Sequence, residues 1–335
     1  MGGHLLLRTR DLTRPAPHRL AALTVTIVLV ALGSFAEPAS GSFPGRNGAI
    51  VYGWLGNAAF RAGPVATSVR SFDPRTGLQR VLRDCPLQSD VGAPSHAECI
   101  VSAPRVSADG TRVAFPTTHV VAPFPEPWQS RPGFGLVGVD GSGLEEHYGE
   151  HSYGSVAWSP ANDRLLLSRQ MEQGSSVSAI YLAALDGTEL QQVAPEGAGS
   201  PDWSSTGRIA FVRASDIWLT RLGGTPRRLT RRGGANPSWS PHGSKLAFVR
   251  TFRGREEVFV VGRDGRDLER LTRRGGYSPS WSPDGRWIGF VRAGSIFVVR
   301  TNGRGLRRVV AGSREPEFGE GRQAVSVDWQ ALPRG

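Results

Sequence analysis

Leu229-Thr-Arg-Arg-Gly-Gly-Ala-Asn-Pro-Ser-Trp-Ser-Pro-His-Gly243 returns 42 residues later as Leu271-Thr-Arg-Arg-Gly-Gly-Tyr-Ser-Pro-Ser-Trp-Ser-Pro-Asp-Gly285. Self-similarity at this period lies in the range of a four-stranded propeller blade. The phrase divides into a strand that ends at a tryptophan, a Ser-Pro-x-Gly turn that leaves it, and a basic stretch that precedes it.

Worked outward from this pair, the same mark recurs with variation. It stands at Val106-Ser-Ala-Asp-Gly110, Trp158-Ser-Pro160 and Trp203-Ser-Ser-Thr-Gly207, so that successive marks are 52, 45, 36 and 42 residues apart. Each is followed by a short apolar run, of which six can be counted: Ile50–Tyr52, Val113–Phe115, Leu165–Leu167, Ile209–Val212, Leu246–Val249 and Ile288–Val291. A third strand follows, as at Asp216–Leu219 and Val258–Val261. Then comes a dipeptide such as Asp140-Gly141, Asp186-Gly187, Asp264-Gly265 or Asn302-Gly303. Such pairs tolerate the positive φ angles of two-residue hairpins. A fourth strand completes the unit, as at Leu306–Val310. Four antiparallel strands per unit make a propeller blade.

The two ends explain one another. Gly48–Tyr52 begins at a second strand with no first strand before it, and Val325–Gln330 is a first strand with nothing after it. With Trp329 in the place of Trp281, the C-terminal strand is predicted to complete the N-terminal blade, a closure that leaves no long unpaired edge. The fold predicted is all-β, a six-bladed propeller of four-stranded antiparallel blades.

Pro279-Ser-Trp-Ser-Pro-Asp-Gly-Arg-Trp-Ile-Gly-Phe290, the Asn302-Gly303 turn and Leu306-Arg-Arg-Val-Val310 resemble the TolB-like, WD40-like six-bladed propellers. The resemblance covers about residues 44–332. Blades one and two match weakly, because Val106 replaces a tryptophan and residues 55–68, 85–100 and 116–133 read as insertions. It implies an envelope-side or secreted scaffold that binds other proteins. The proteobacterial relative has an α/β domain before its propeller, so that domain's interactions are not carried over. Similar blades occur in prolyl oligopeptidases and some pectin-degrading lyases. No Gly-x-Ser-x-Gly elbow accompanies the blades here, and no clear set of axial metal ligands with a basic catalytic group is visible.

The whole composition agrees with a turn-rich β protein: Gly 43, Pro 24 and Trp 9 in 335 residues, without long helical patterns. Net charge is +11, and among 40 basic side chains only Lys245 is a lysine. A base-rich genome would give that bias without function, while arginine's planar fork favours anionic partners. The charge is unevenly placed: residues 201–315 hold 23 basic and 9 acidic side chains, residues 37–200 hold 11 and 16.

Arg8, Arg10, Arg14 and Arg19, the apolar run 20–32 and Ser34-Phe35-Ala36 read as a secretory signal peptide over residues 1–36, with an uncleaved membrane tether through 20–32 as the alternative. Residues 37–335 form the propeller. Export makes a disulfide the favoured reading of Cys85 and Cys99, which bracket the insertion 85–100; two buried free thiols are the alternative.

The Trp-Ser-Pro tryptophans read as packing residues between blades. His147-Tyr-Gly-Glu-His151 spells a metallopeptidase motif, but that chemistry needs a helix and this stretch ends a blade, so no metal or other cofactor is expected. The arginines are the sharper signal. Arg169, Arg213, Arg250 and Arg292 each follow a second strand, and Arg231, Arg232, Arg273 and Arg274 lie in loops joining blades. In such blades both loop types emerge on one face, so these eight form the candidate binding site for a protein or anionic envelope partner. Nucleic acid fits the charge but not the compartment, and no aromatic stacking platform lies among the arginines. The chain is expected to be an exported, non-enzymatic monomer. The alternative is a carbohydrate-active lyase or hydrolase with a site in the axial channel, for which converging histidines and carboxylates at the axis would speak.

Overall fold

The computed structural model describes residues 43–56, 67–85, 87–88, 96–97, 99–121, 129–171, 177–314 and 321–332. The proposed leader and its apolar run lie outside these residues, as does part of the insertion 85–100.

The six units are six antiparallel sheets. Blade three, for example, runs outward from Tyr153–Trp158 through Arg164–Gln170 and Ser178–Ala184 to Glu189–Ala194. Blade four comprises Ala198–Trp203, Ile209–Arg213, Asp216–Thr220 and Arg227–Arg228; blade five Ala235–Trp239, Lys245–Phe252, Arg255–Gly262 and Glu269–Arg270; blade six Tyr277–Trp281, Trp287–Arg292, Ser295–Arg300 and Arg307–Val310. Blade one is closed as its unequal ends require. Gly321–Leu332 is its innermost long strand and pairs with Arg46–Leu55, which continues outward to Thr67–Phe72 and Gln79–Cys85. The register repeats around the ring: Trp158 faces Leu165, Trp203 Ile209, Trp239 Leu246, Trp281 Ile288, and across the closure Trp329 faces Ile50.

Each core joins two neighbouring blades. Trp203, Ile209 and Phe211 pack on Ile180 and Leu182 of blade three. Trp239 and Phe248 pack on Ile217 and Leu219 of blade four, and Trp281 with Ile288 on Val258 and Val260 of blade five. Trp329 closes the ring against Val291, Ile296 and Val298. Since one face of every sheet is apolar toward each neighbour, burial holds the blades in a circle without helices. The fit is tight at the closure: a Cβ on Gly289 would stand 2.9 Å from Trp329 Nε1.

In blade two the first strand is split. Cys99–Val101 and Arg105–Val106 both pair with Arg112–Val121, interrupted at Ala103, whose φ is 40°. Within 116–133, expected as an insertion, residues 116–121 and 129–133 lengthen that blade's central hairpin, with Pro116 opposite Phe134 and Val121 opposite Gln129. The insertion 85–100 carries a short pairing of Leu87–Gln88 with His96–Ala97. Cys85 and Cys99 form the disulfide, tying the outermost strand of blade one to the innermost strand of blade two.

Candidate functional site

The Thr-Arg-Arg-Gly-Gly loops are built twice to one plan. In the loop between blades four and five, the buried Asp216 at the head of the third strand accepts from Thr230 Oγ1 at 2.8 Å and from Gly233 N at 3.1 Å. In the next loop Glu257 accepts from Thr272 Oγ1 at 2.6 Å and from Gly275 N at 3.2 Å. The threonines also accept, from Ile217 N and Val258 N. From the following blade, Arg250 Nε donates to Gly233 O at 3.0 Å and Arg292 Nε to Gly275 O at 2.8 Å. Each loop is therefore gripped by an acid from the blade before it and an arginine from the blade after it. Burial pushes the Asp216 carboxyl up, but hydrogen bonds from Thr230, Arg228 and Gly233, with the Arg228 charge, outweigh this and hold it below the usual carboxylate range.

These contacts sort the eight candidate arginines. Arg250 lies over Phe248 and Phe259, Arg292 over Phe290 and Phe297, and burial lowers both guanidinium pKa values. Arg169 donates to Glu189 at 2.7 Å and covers the Tyr181 ring. These three are engaged within the fold. Arg213 stands at the rim, 6.0 Å from the Trp218 ring centroid. Arg231, Arg232, Arg273 and Arg274 are exposed, and among the described residues none is in an ion pair. Arg228, on the fourth strand of blade four, donates to the Thr230 carbonyl and to Asp216.

A second polar group lies at the axis. The residue before the inner tryptophan position is Arg105, Asp202, Ser280 or Asp328 in blades two, four, six and one, and all four are buried. Asp202 accepts from Trp239 N at 2.7 Å; Asp328 accepts from Val106 N at 2.8 Å and from Ser280 Oγ at 2.9 Å. Burial holds the Asp202 carboxyl well above the usual range; Arg105 opposes the shift and Asp328 adds to it. All three lie on innermost strands, of blades two, four and one, which places them around the axis. Ser200, Asn236 and Ser278, each before a proline, have φ of 50–51° at bulges on the same strands. That conformation is unfavourable for non-glycine residues and more so before proline. No histidine lies on an innermost strand among the described residues.

His147 sits on Glu145–Tyr148, the outermost strand of blade two, stacked on Phe134 at 5.0 Å. Glu145 and Glu146 pair with Arg112 and Arg83. Among the described residues no group of three His, Cys, Asp or Glu is placed to hold a metal ion.

Sequence reading missed the two loop-gripping acids and the axial charges. Asp216 and Glu257 could have been found from their shared place at the head of a third strand, opposite Arg213 and Arg250 in register.

Residues 169–319 match the model of the TolB β-propeller domain. No curated protein matches the chain in sequence. Among solved structures, TolB from Acinetobacter baumannii superposes with a TM-score of 0.61 at 18% identity, over 85% of this chain and 67% of that one. Putative TolB from Agrobacterium tumefaciens gives 0.55 at 19%, over 85% and 99%. A puromycin-hydrolyzing peptidase of Mycobacterium tuberculosis gives 0.53 at 19%, over 82% of this chain and 46% of that one. At such identities the likeness is one of fold, which scaffolds and enzymes share.

Proposed function

We propose that this chain, a six-bladed β-propeller whose residues 169–319 match the TolB propeller domain, is an exported, monomeric, non-enzymatic scaffold whose Thr-Arg-Arg-Gly-Gly loops dock an anionic partner of the cell envelope. The carrying observation is the contrast within each loop: Thr230, Gly233, Thr272 and Gly275 are held from both sides, while the arginine pairs between them are exposed. A rigid loop presenting guanidinium forks loses little ordering entropy on binding. Arg213 extends the same rim. Export through residues 1–36, ahead of a propeller over 37–335, is supported by the Cys85–Cys99 disulfide, which persists in an oxidising compartment.

What favours a scaffold over an axial enzyme is the use already made of the axial carboxylates. Asp202 and Asp328 accept backbone amides of the neighbouring blades, and no histidine accompanies them on the innermost strands among the described residues. The proposed partner is an acidic protein segment or an anionic envelope polymer. The test is cosedimentation of the purified protein with envelope fractions across a salt series, comparing the Arg231→Gln, Arg232→Gln, Arg273→Gln, Arg274→Gln variant with wild type. Weaker association and a shallower salt dependence are expected; identical curves would defeat the proposal.

A further inference from the structure

On the opposite face of blade four, where the first-to-second and third-to-fourth turns emerge, Arg208, Arg221 and Arg227 lie together with Arg263 of blade five. Ile209 faces Thr220 in the sheet, which brings Arg208 beside Arg221; Leu219 faces Arg227. Arg221 Nη1 donates to the Thr206 carbonyl at 3.0 Å and would stand 3.4 Å from a Cβ on Gly207, so it lies over the turn that carries Arg208. Arg227 donates to the Arg263 carbonyl of blade five, and Arg263 N to the Ser244 carbonyl at 3.0 Å. Arg208 Nε is buried without a hydrogen-bond partner. Among the described residues none of the four is in an ion pair. Burial and then the charges of Arg221, Arg263 and Arg227 depress the Arg208 pKa.

Blade six is an internal control. By register, Trp287 occupies the place of Arg208, Arg300 that of Arg221 and Arg307 that of Arg227. There the two guanidinium carbons lie 5.1 and 5.5 Å from the Trp287 ring centroid, so each cation has an aromatic face. Blade four puts a third guanidinium where the ring should be and adds Arg263 from the next blade. The same scaffold thus has a self-satisfied version and a version that concentrates positive charge without an internal counter-ion. Crowded like charges around a half-buried arginine whose Nε has no acceptor within the protein match a compact, multiply charged oxyanion, which several planar forks can share.

We propose that Arg208, Arg221, Arg227 and Arg263 form a binding site for a phosphate-type oxyanion, separate from the Thr-Arg-Arg-Gly-Gly loops. The ligand group is either a free phosphate ester or polyphosphate, or the phosphate of a lipid headgroup.

Calorimetric titration of the purified chain with pyrophosphate in chloride buffer, at constant ionic strength, tests the site. Saturable binding is expected, weakened about tenfold or more in Arg208→Trp, which installs the blade-six arrangement, and in Arg263→Gln, an exposed substitution that spares the turn. The loop variant with Arg231, Arg232, Arg273 and Arg274 replaced should bind pyrophosphate as wild type does, which separates this site from the proposed docking loops. Flotation with phosphatidylglycerol vesicles distinguishes the sources. Flotation lost in Arg208→Trp assigns a lipid phosphate, and pyrophosphate binding without flotation assigns a free one. No saturable binding of either probe by wild type, or equal binding by wild type and both folded variants, overturns the proposal.

Discussion

Replacing Asp216 by alanine should release the loop between blades four and five without disturbing the blade that bears it. The side chain is 5% exposed and receives Thr230 Oγ1 and Gly233 N as well as Arg228. Hydrogen bonds to a charged acceptor contribute roughly 1.5–3 kcal/mol each. The Arg228 contact is discounted, because that side chain is 41% exposed and solvent screens it. Against two lost bonds stands relief from burying a carboxylate, which leaves a net loss of about 3 kcal/mol. At about 2 °C per kcal/mol for a large domain, Tm should fall by about 6 °C. Hydrogen exchange reads the local effect: the Gly233 amide should exchange about a hundredfold faster, while the corresponding Gly275, held by Glu257, keeps its rate. The folded carboxyl lies below its unfolded value, so its stabilisation is present above the unfolded pKa and disappears as pH falls through the folded one. The variant should therefore lose part of the wild-type acid limb. Unchanged Gly233 exchange with a Tm within about 1 °C of wild type would refute the two-sided grip.

Asp202 carries the opposite pH signature. Its folded pKa is raised, so its contribution is fully present below the unfolded pKa of about 4 and is lost as pH rises toward the folded value. Asp202→Asn keeps an acceptor for Trp239 N and should flatten the fall of Tm with rising pH; parallel curves would contradict the burial argument. Gly289→Ala places a Cβ 2.9 Å from Trp329 Nε1 and should cost about 1–3 kcal/mol in denaturant unfolding by overpacking the closure. Cys85→Ser with Cys99→Ser removes a link spanning 14 residues and should cost about 3 kcal/mol by chain entropy, read as a lower denaturation midpoint.

The propeller was legible because each blade makes the same demand. A tryptophan must fill the space between sheets, a turn must follow it, and a short apolar strand must lie opposite, so Trp203, Trp239, Trp281 and Trp329 fall in one register. Closure was legible from a missing first strand at one end and a spare one at the other. Blade two was less so: a split first strand at Ala103 and a lengthened hairpin through Pro116 satisfy the same packing with a different pattern. For the arginines, sequence conveyed position but not partners. Arg250 and Arg292 look like Arg213 in the chain, yet their acceptors are carbonyls of loops 17 residues earlier. Arg208 shows its character only when the register puts it where blade six has Trp287, since neither residue is unusual in its local sequence. Buried acids such as Asp216 and Asp202 look like surface charges until the fold supplies their donors, from the loop leaving the blade for Asp216 and from the neighbouring blade for Asp202.

The central claim, that the Thr-Arg-Arg-Gly-Gly loops are the docking face, is tested most directly by photo-crosslinking in the native cell, with the reactive residue at Arg232 or Arg274 and, as control, at Asn302 on the opposite face. A discrete, salt-sensitive adduct is expected from the two loop positions and none from Asn302. Adducts of equal yield from both faces, or none from the loops, would contradict it.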